Sequence, residues 1–413
     1  MRRVLDPAKV REQFSALSRA HNGREVAYFD GPGGSQVCRG TIEAMRGYME
    51  GGGANLHGVF PTSTETEEVI ARTREKAAAF LGARAEEIAF GANMTTLTFA
   101  ISRALARGWD AGDEILVTEL DHRANVDPWI SAATERGARV RWIPVNPETL
   151  TLDLSNIERT INQRTKLVAV GLASNAVGTI NDVAQIAARA HEVGALVAVD
   201  AVHAAPHITV DRDELGADVI TCSAYKFFGP HVGVTAIKRA VFEELRPHRQ
   251  DPAPDYVPDK LETGTQNHEG IAGVEGALDF IASLGGGETV RERLVSGMQA
   301  VEEYEESLAL KLRLTLDALP AITVHAAPGD IRKTPTVAFR VEGRTPREVC
   351  EIALEAGYFV AGGDFYASTL SEKLGIRESG GWVRVGLAPY NTVEEVDGFV
   401  GAMEMLVAGK SAV

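Results

Sequence analysis

Cysteine is scarce: three residues in 413, Cys38, Cys222 and Cys350. They are odd in number and far apart, so the chain has neither a disulfide framework nor metal-like cysteine pairs. That usage suits a reducing cytoplasm. No run of about 18 apolar residues occurs, and no transmembrane helix is expected. The opening residues, Met1 to Pro7, lack an apolar signal core, so secretion is not expected. Positive charge is in deficit, with 42 Lys and Arg against 57 Asp and Glu and a net charge of −15. Such a chain repels phosphates, which argues against general nucleic-acid binding. No His, Cys or carboxylate spacing suggests a metal, and no repeat or low-complexity tract is evident. What is present is ordinary for a soluble globular enzyme: 45% hydrophobic and 24% charged residues. At this length two packed domains are the default.

Short apolar segments alternate with helical ones through the first two thirds. Candidate strands are 87–90, 114–118, 139–144, 166–171, 195–199 and 219–223. Helical segments lie near 66–81, 95–107, 125–137, 155–162 and 182–193. This alternation predicts an α/β fold with a mostly parallel sheet covered on both faces. A short helix is expected over 6–20, and Gly31 to Gly34 reads as a turn. Beyond Gly285-Gly286-Gly287 come a long helix over 288–318, strands at 321–325, 337–341 and 382–388, and helices at 345–356 and 393–407. These suit a smaller α+β domain. The expected organisation is an N-terminal segment (1–27) packing on the small domain, a large domain (28–270) and a small C-terminal domain (271–413), with the boundary near 270–288.

Ligands of open parallel sheets bind beyond the carboxyl ends of the strands. Asp200 closes the apolar run from Ala195, and Ser223, Tyr225 and Lys226 follow the run from Val219. An acid and an amine at the ends of neighbouring buried strands suit pyridoxal phosphate (PLP). The lysine would form the Schiff base, and the aspartate would hold the pyridine nitrogen protonated. Taken singly, each has a plain alternative: a solvated surface lysine, or a helix-capping aspartate. Asn93, Met94 and Thr95 follow a strand and open a helix, a setting that binds phosphate or merely caps. Ser223 and Tyr225 would add hydroxyls. Arg384 alternates with Val383 and Val385 in a strand. It reads either as an edge arginine or as a bidentate carboxylate anchor. His57, His122 and His203 read as structural histidines on pattern alone, and Glu302 to Glu306 as a solvated helix face.

These residues together resemble the cysteine desulfurase-like branch of the class V aminotransferases, PLP enzymes of fold type I, over about Tyr28 to Val407. The stretches that carry the resemblance are Asp200 to His203, Ser223 to Lys226, Ala173 to Thr179, Glu262 to Asn267 and Arg384 to Thr392. The resemblance implies a Schiff-base role for Lys226 and a pyridine-nitrogen partner in Asp200. It implies contact of His203 with the cofactor's phenolic oxygen, and phosphate binding by Ser223 and Tyr225. It places the substrate carboxylate at Asn175 and Arg384, with His57 a further substrate-side group. Thr265 would reach the phosphate in a neighbouring subunit, which implies a homodimer.

Two departures bear on activity. Where the family has Glu-His-His-Ala-Asn, this chain has Asp121-His122-Arg123-Ala124-Asn125. The second histidine, expected to stack on the cofactor, becomes Arg123, which can stack but cannot shuttle a proton near neutral pH. The loop that bears a persulfide-forming cysteine in desulfurases is Ala361 to Ser368 here, and it has none. The resulting expectation is a C–S lyase that expels a sulfur-bearing side chain from a cysteine-derived amino acid. The alternatives are desulfuration with an external sulfur acceptor, transamination or epimerisation, and an inactive scaffold. Retention of Lys226, Asp200 and Arg384 argues against the last.

Overall fold

The computed structural model describes residues 5–409; Met1 to Val4 of the expected N-terminal segment lie outside this range. The central sheet has seven strands: β1 (Ile88–Gly91), β2 (Glu114–Thr118), β3 (Arg139–Ile143), β4 (Thr165–Gly171), β5 (Leu196–Asp200), β6 (Val219–Ser223) and β7 (Gly233–Ile237). Their spatial order is β1-β7-β6-β5-β4-β2-β3. Strands β2 to β6 pair in parallel, whereas β7 runs antiparallel to both β6 and β1. Leu167 to Val170 and Val197 to Val199 are all buried, as strands covered on both faces must be. Each such Val or Leu contributes about 1.5–3 kcal/mol on burial.

The helices that matter here are α1 (Arg39–Glu50), α2 (Pro61–Leu81), α3 (Met94–Leu105), α4 (Asp127–Arg136), α5 (Val183–Glu192), α6 (His268–Leu284), α7 (Val290–Asp317), α8 (Pro346–Glu355) and α9 (Val393–Val407). A second, antiparallel sheet has β8 (Ile322–His325), β9 (Thr336–Val341), β10 (Ala361–Gly363) and β11 (Trp382–Gly386) in the order β8-β9-β11-β10. Its core contains Phe339, Val383, Val385 and Phe399. Helix α6 packs its apolar face with Ile70 and Met298 in the large core. The expected boundary range of 270–288 spans this helix. The large core continues past it into α7 through Leu294, Met298 and Val301.

The N-terminal segment ties the two parts together. Phe14 sits edge-on against Phe228, Phe280 and Tyr390. Arg11 donates to the Tyr390 carbonyl at 2.6 Å and to Glu395 at 2.7 Å. Ala27 and Tyr28 pair in parallel with Tyr358 and Phe359. Asp30 then bridges to Gly386 at the end of β11. Among the described residues no helix is long and apolar enough to cross a membrane.

Candidate active site

The carboxyl ends of β4, β5 and β6 open into a cavity of about 860 Å³, closed on its far side by β10, β11 and the loop after β10. Its walls include Asn93, Met94, Thr95, Asn175, Asp200, His203, Ser223, Tyr225, Lys226 and Arg384. The strand-end rule brings together Asn93, Asn175, Asp200, Ser223 and Lys226, and the second sheet adds Arg384 from the opposite wall.

At one end stands the N-terminus of α3. Asn93 caps it by accepting from the Thr96 amide at 2.9 Å. The Met94 amide donates to Ser223 Oγ at 2.9 Å, joining the helix start to the end of β6. The Tyr225 ring stacks on His231 at 4.8 Å and lies under the Lys226 ammonium at 4.6 Å. Amide dipoles, hydroxyls and an imidazole around one open volume can accommodate a phosphate-like anion.

Lys226 is buried, and its Nζ donates to the carbonyls of Pro32 and Gly33. Burial, and then the Arg384 charge, pull its pKa down to about 8, while Asp30 and Asp200 oppose them. Asp200 stands at the end of β5, its Oδ1 accepting from the Val202 amide at 2.8 Å. Burial pushes its pKa up to about 6, against that hydrogen bond and the Lys226 charge. A carboxylate held so far from water favours a cationic partner. Beside it, Asp121 accepts from the Gly171 amide at 2.9 Å, and burial raises its pKa to about 7.

Arg384 is 3% exposed. Val383 and Val385 enter the small core, so the strand alternation aims the guanidinium into the cavity. Its Nη1 donates to the Asn175 carbonyl at 3.0 Å and its Nη2 to Asp30 Oδ1 at 2.9 Å. Phe365 covers one face at 3.8 Å. Two buried atoms here have no partner, Arg384 Nε and Asn175 Oδ1. The site thus holds one buried donor and one buried acceptor without a partner.

Not every expected residue converges. Arg123 does not face the cavity; its guanidinium binds Asp127 and the Thr369 hydroxyl. His122 lines the cavity instead, its Nδ1 accepting from the Ala124 amide at 3.0 Å. Burial, then Lys226 and Arg384, lower its pKa to about 4, so the ring is neutral. Of these two neighbours it is His122, not Arg123, that stands in the cavity wall. His203 lines the cavity, but its Nε2 is engaged with the hydroxyls of Thr334 and Thr336, each at 3.0 Å. His57 lies outside the cavity, with an exposed side chain next to Glu67. Thr265 lines a different depression with Arg103 and Gln266. Sequence patterns assign no site role to Asp30, Asp121, His231, Phe365 or Tyr366. Of these, Asp121 and the loop of Phe365 and Tyr366 carry a signal, each lying in a stretch that departs from the desulfurase pattern.

The family model for class-V aminotransferases matches residues 27–399. The chain belongs to the class-V aminotransferase family. An aminotransferase-like protein of Gibberella zeae is 32% identical over 409 residues, covering 96% of this chain and 98% of that one. A cysteine desulfurase of an Enterobacter species is 31% identical over 414 residues, covering 96% and 97%. Among solved structures, an apo cysteine desulfurase from Thermococcus onnurineus NA1 superposes with a TM-score of 0.88 at 30% identity, covering 99% of each chain. The desulfurase CsdA of Escherichia coli gives a TM-score of 0.84 at 26% identity, covering 98% of this chain and 100% of that one. The architecture is that of fold type I, and this class-V enzyme is PLP-dependent. The helix start open to an anion, the amine of lowered pKa and the Asp200 carboxylate fit that cofactor.

Proposed function

We propose that this class-V enzyme is a cysteine desulfurase-like C–S lyase acting at Cα and Cβ of a cysteine-derived amino acid. The carrying observation is a cavity that unites Lys226, Asp200 and Arg384 and has no cysteine in its lining. When bound, PLP supplies an electron sink for the bond broken at Cα. The chain's own groups do the rest. The α3 N-terminus, with Thr95, Ser223 and Tyr225, holds the phosphate. Asp200 holds the pyridine-nitrogen proton. Arg384 holds the substrate carboxylate through Nε, and Asn175 joins it through Nδ2, which now donates to the Phe365 carbonyl. His122 would cover the cofactor ring, and His203, fixed by two threonine hydroxyls, would contact its phenolic oxygen. Lys226 Nζ would hold the cofactor covalently and would carry the Cα proton.

The Lys226 amine must be unprotonated to capture the cofactor. A pKa of about 8 places that change well below the usual range of a lysine. Stopped-flow absorbance of the stripped enzyme mixed with PLP is expected to show a capture rate that rises with pH through about 8 and then levels. A midpoint above about 10 contradicts the buried, depressed amine.

None of the three cysteines supplies a ready thiolate. Cys38 and Cys222 are buried and Cys350 half-buried. Burial raises all three pKa values, that of Cys350 to about 11. Replacing all three with serine is expected to leave turnover within about threefold of the parent, since a thiol that stays protonated is a poor nucleophile. Products are followed by mass spectrometry after incubation with cysteine, cystine and cysteine sulfoxides. Pyruvate and ammonia support the lyase. Alanine supports the second reading, desulfuration with an external acceptor, which the names of the relatives favour.

We further infer a cytoplasmic homodimer, with Thr265 directed to the partner's cofactor phosphate. Thr265 lies outside the cavity of its own chain. Ile42 and Met49 on α1 and Val59 and Phe60 just before α2 are exposed apolar side chains. Light scattering on the purified enzyme is expected to give twice the chain mass of 44.2 kDa. A monomer sinks the shared-site assignment.

A further inference from the structure

The turn from Asp30 to Gly34 does more than close a corner. The amides of Gly33 and Gly34 both donate to the Asp30 carbonyl, at 3.0 and 3.2 Å. Gly31 donates to the Gly386 carbonyl at 3.2 Å, which pins the turn to the strand that carries Arg384. The turn then presents two things to the cavity. The carbonyls of Pro32 and Gly33 receive Lys226 Nζ. The Asp30 carboxylate receives Arg384 Nη2 at 2.9 Å. Glycine at position 33 is a steric requirement of this arrangement, because a Cβ there would stand 2.3 Å from Asp30 Oδ2.

Arg384 is therefore already paired with a carboxylate, and that carboxylate belongs to the chain. The side chain of Asp30 is 42% exposed while that of Arg384 is 4% exposed. Asp30 is thus the partner with room to leave. On the same edge of the guanidinium, Nε is buried and unpartnered. One further oxygen atom completes a bidentate pair only if Asp30 moves or shares Nη2.

We propose that Asp30 is a resident carboxylate that occupies Arg384 in the resting enzyme, competes with the carboxylate of the substrate, and sets the charge selectivity of the site. This rests on the reading that Arg384 anchors an amino acid. A displaced Asp30 remains at the cavity wall as a negative charge. It repels a second carboxylate on the substrate and tolerates a neutral or cationic side chain. The substrate class is then a monocarboxylic amino acid whose side chain is not acidic.

The test uses the holoenzyme and non-turnover binding, read as a shift of the visible cofactor spectrum. Wild-type enzyme is expected to bind asparagine at least about tenfold more tightly than its isostere aspartate. In Asp30→Asn both bind more tightly, and the preference shrinks to within about threefold because the competing and repelling charge is gone. Gly33→Ala, which keeps the charge but crowds it off Arg384, is expected to tighten asparagine binding and retain discrimination against aspartate. Acetate provides an arm that needs no amino-acid chemistry. It is expected to raise the melting temperature of Asp30→Asn, and to do so less for wild type. Unchanged or weaker binding of asparagine and of acetate in Asp30→Asn overturns the proposal. If no amino acid perturbs the wild-type spectrum, the amino-acid reading of the site fails, and the acetate arm still decides whether Asp30 shields Arg384.

Discussion

Replacing Lys226 with alanine is expected to abolish the visible absorption of covalently held cofactor and to lower turnover by at least about 1,000-fold, because one group serves as both nucleophile and proton carrier. The loss is chemical rather than structural. Lys226 Nζ is satisfied by two carbonyls of the Asp30 to Gly34 turn, those of Pro32 and Gly33. Both face the cavity, so water takes the place of the ammonium and no buried acceptor is stranded. The apolar strand behind it, Val219 to Cys222, is untouched. Circular dichroism and the melting temperature should stay close to those of the parent. A small primary amine added to the buffer should restore part of the rate, since the truncation leaves a space of amine size beside Asp200 and Arg384. Retention of the covalent absorption band in Lys226→Ala removes the lysine from its assigned role.

The reason Lys226 is legible in the sequence also explains what is not. The apolar runs at 195–199 and 219–223 can only be buried strands, and residues just past buried parallel strands meet at one edge. That logic alone gathers Asp200, Ser223, Lys226, Asn175 and the start of α3 at one site. The same apolar patterning matches strands β2 and β6 at their observed ends. Strand β7 escapes it because Gly233 to Ile237 follows Pro230 closely, with no helical crossover to announce it. Its antiparallel direction comes from that short connection.

The choice between His122 and Arg123 is a different kind of failure. The two residues are neighbours in a tight turn, and composition cannot say which one faces inward. The Ala124 amide fixes His122 through Nδ1, and Asp127 draws the Arg123 guanidinium outward. Asp30 leaves no local trace at all. Its partner Arg384 lies 354 positions away, and their meeting depends on the pairing of the N-terminal segment with the second sheet. Patterns with periods of two or 3.6 residues report on elements, not on contacts between the two ends of a chain.

Exchange of Asp200 for asparagine tests the electrostatic half of the site, because shape is kept and charge is removed. An amide oxygen can still accept from the Val202 amide, the 2.8 Å bond that fixes the side chain now. The ionic partner of the ring nitrogen is lost. Turnover is expected to fall by about 100- to 1,000-fold, the scale of removing one preorganised charge-stabilising group from a water-poor site. A second readout separates this from simple damage. Asp200 is one of the two carboxylates that raise the pKa of Lys226 against burial and Arg384. Without it the amine loses stabilisation of its charged form, so the pH midpoint of cofactor capture should move down from about 8. Asp121 should also ionise more readily, because the Asp200 charge contributes to its raised pKa. A generally loosened site lets water in and returns Lys226 toward its ordinary range, which moves the midpoint up. Reduced turnover with a lowered midpoint supports the carboxylate as the partner of the ring nitrogen. Reduced turnover with a raised midpoint assigns the loss to disordered packing at the end of β5.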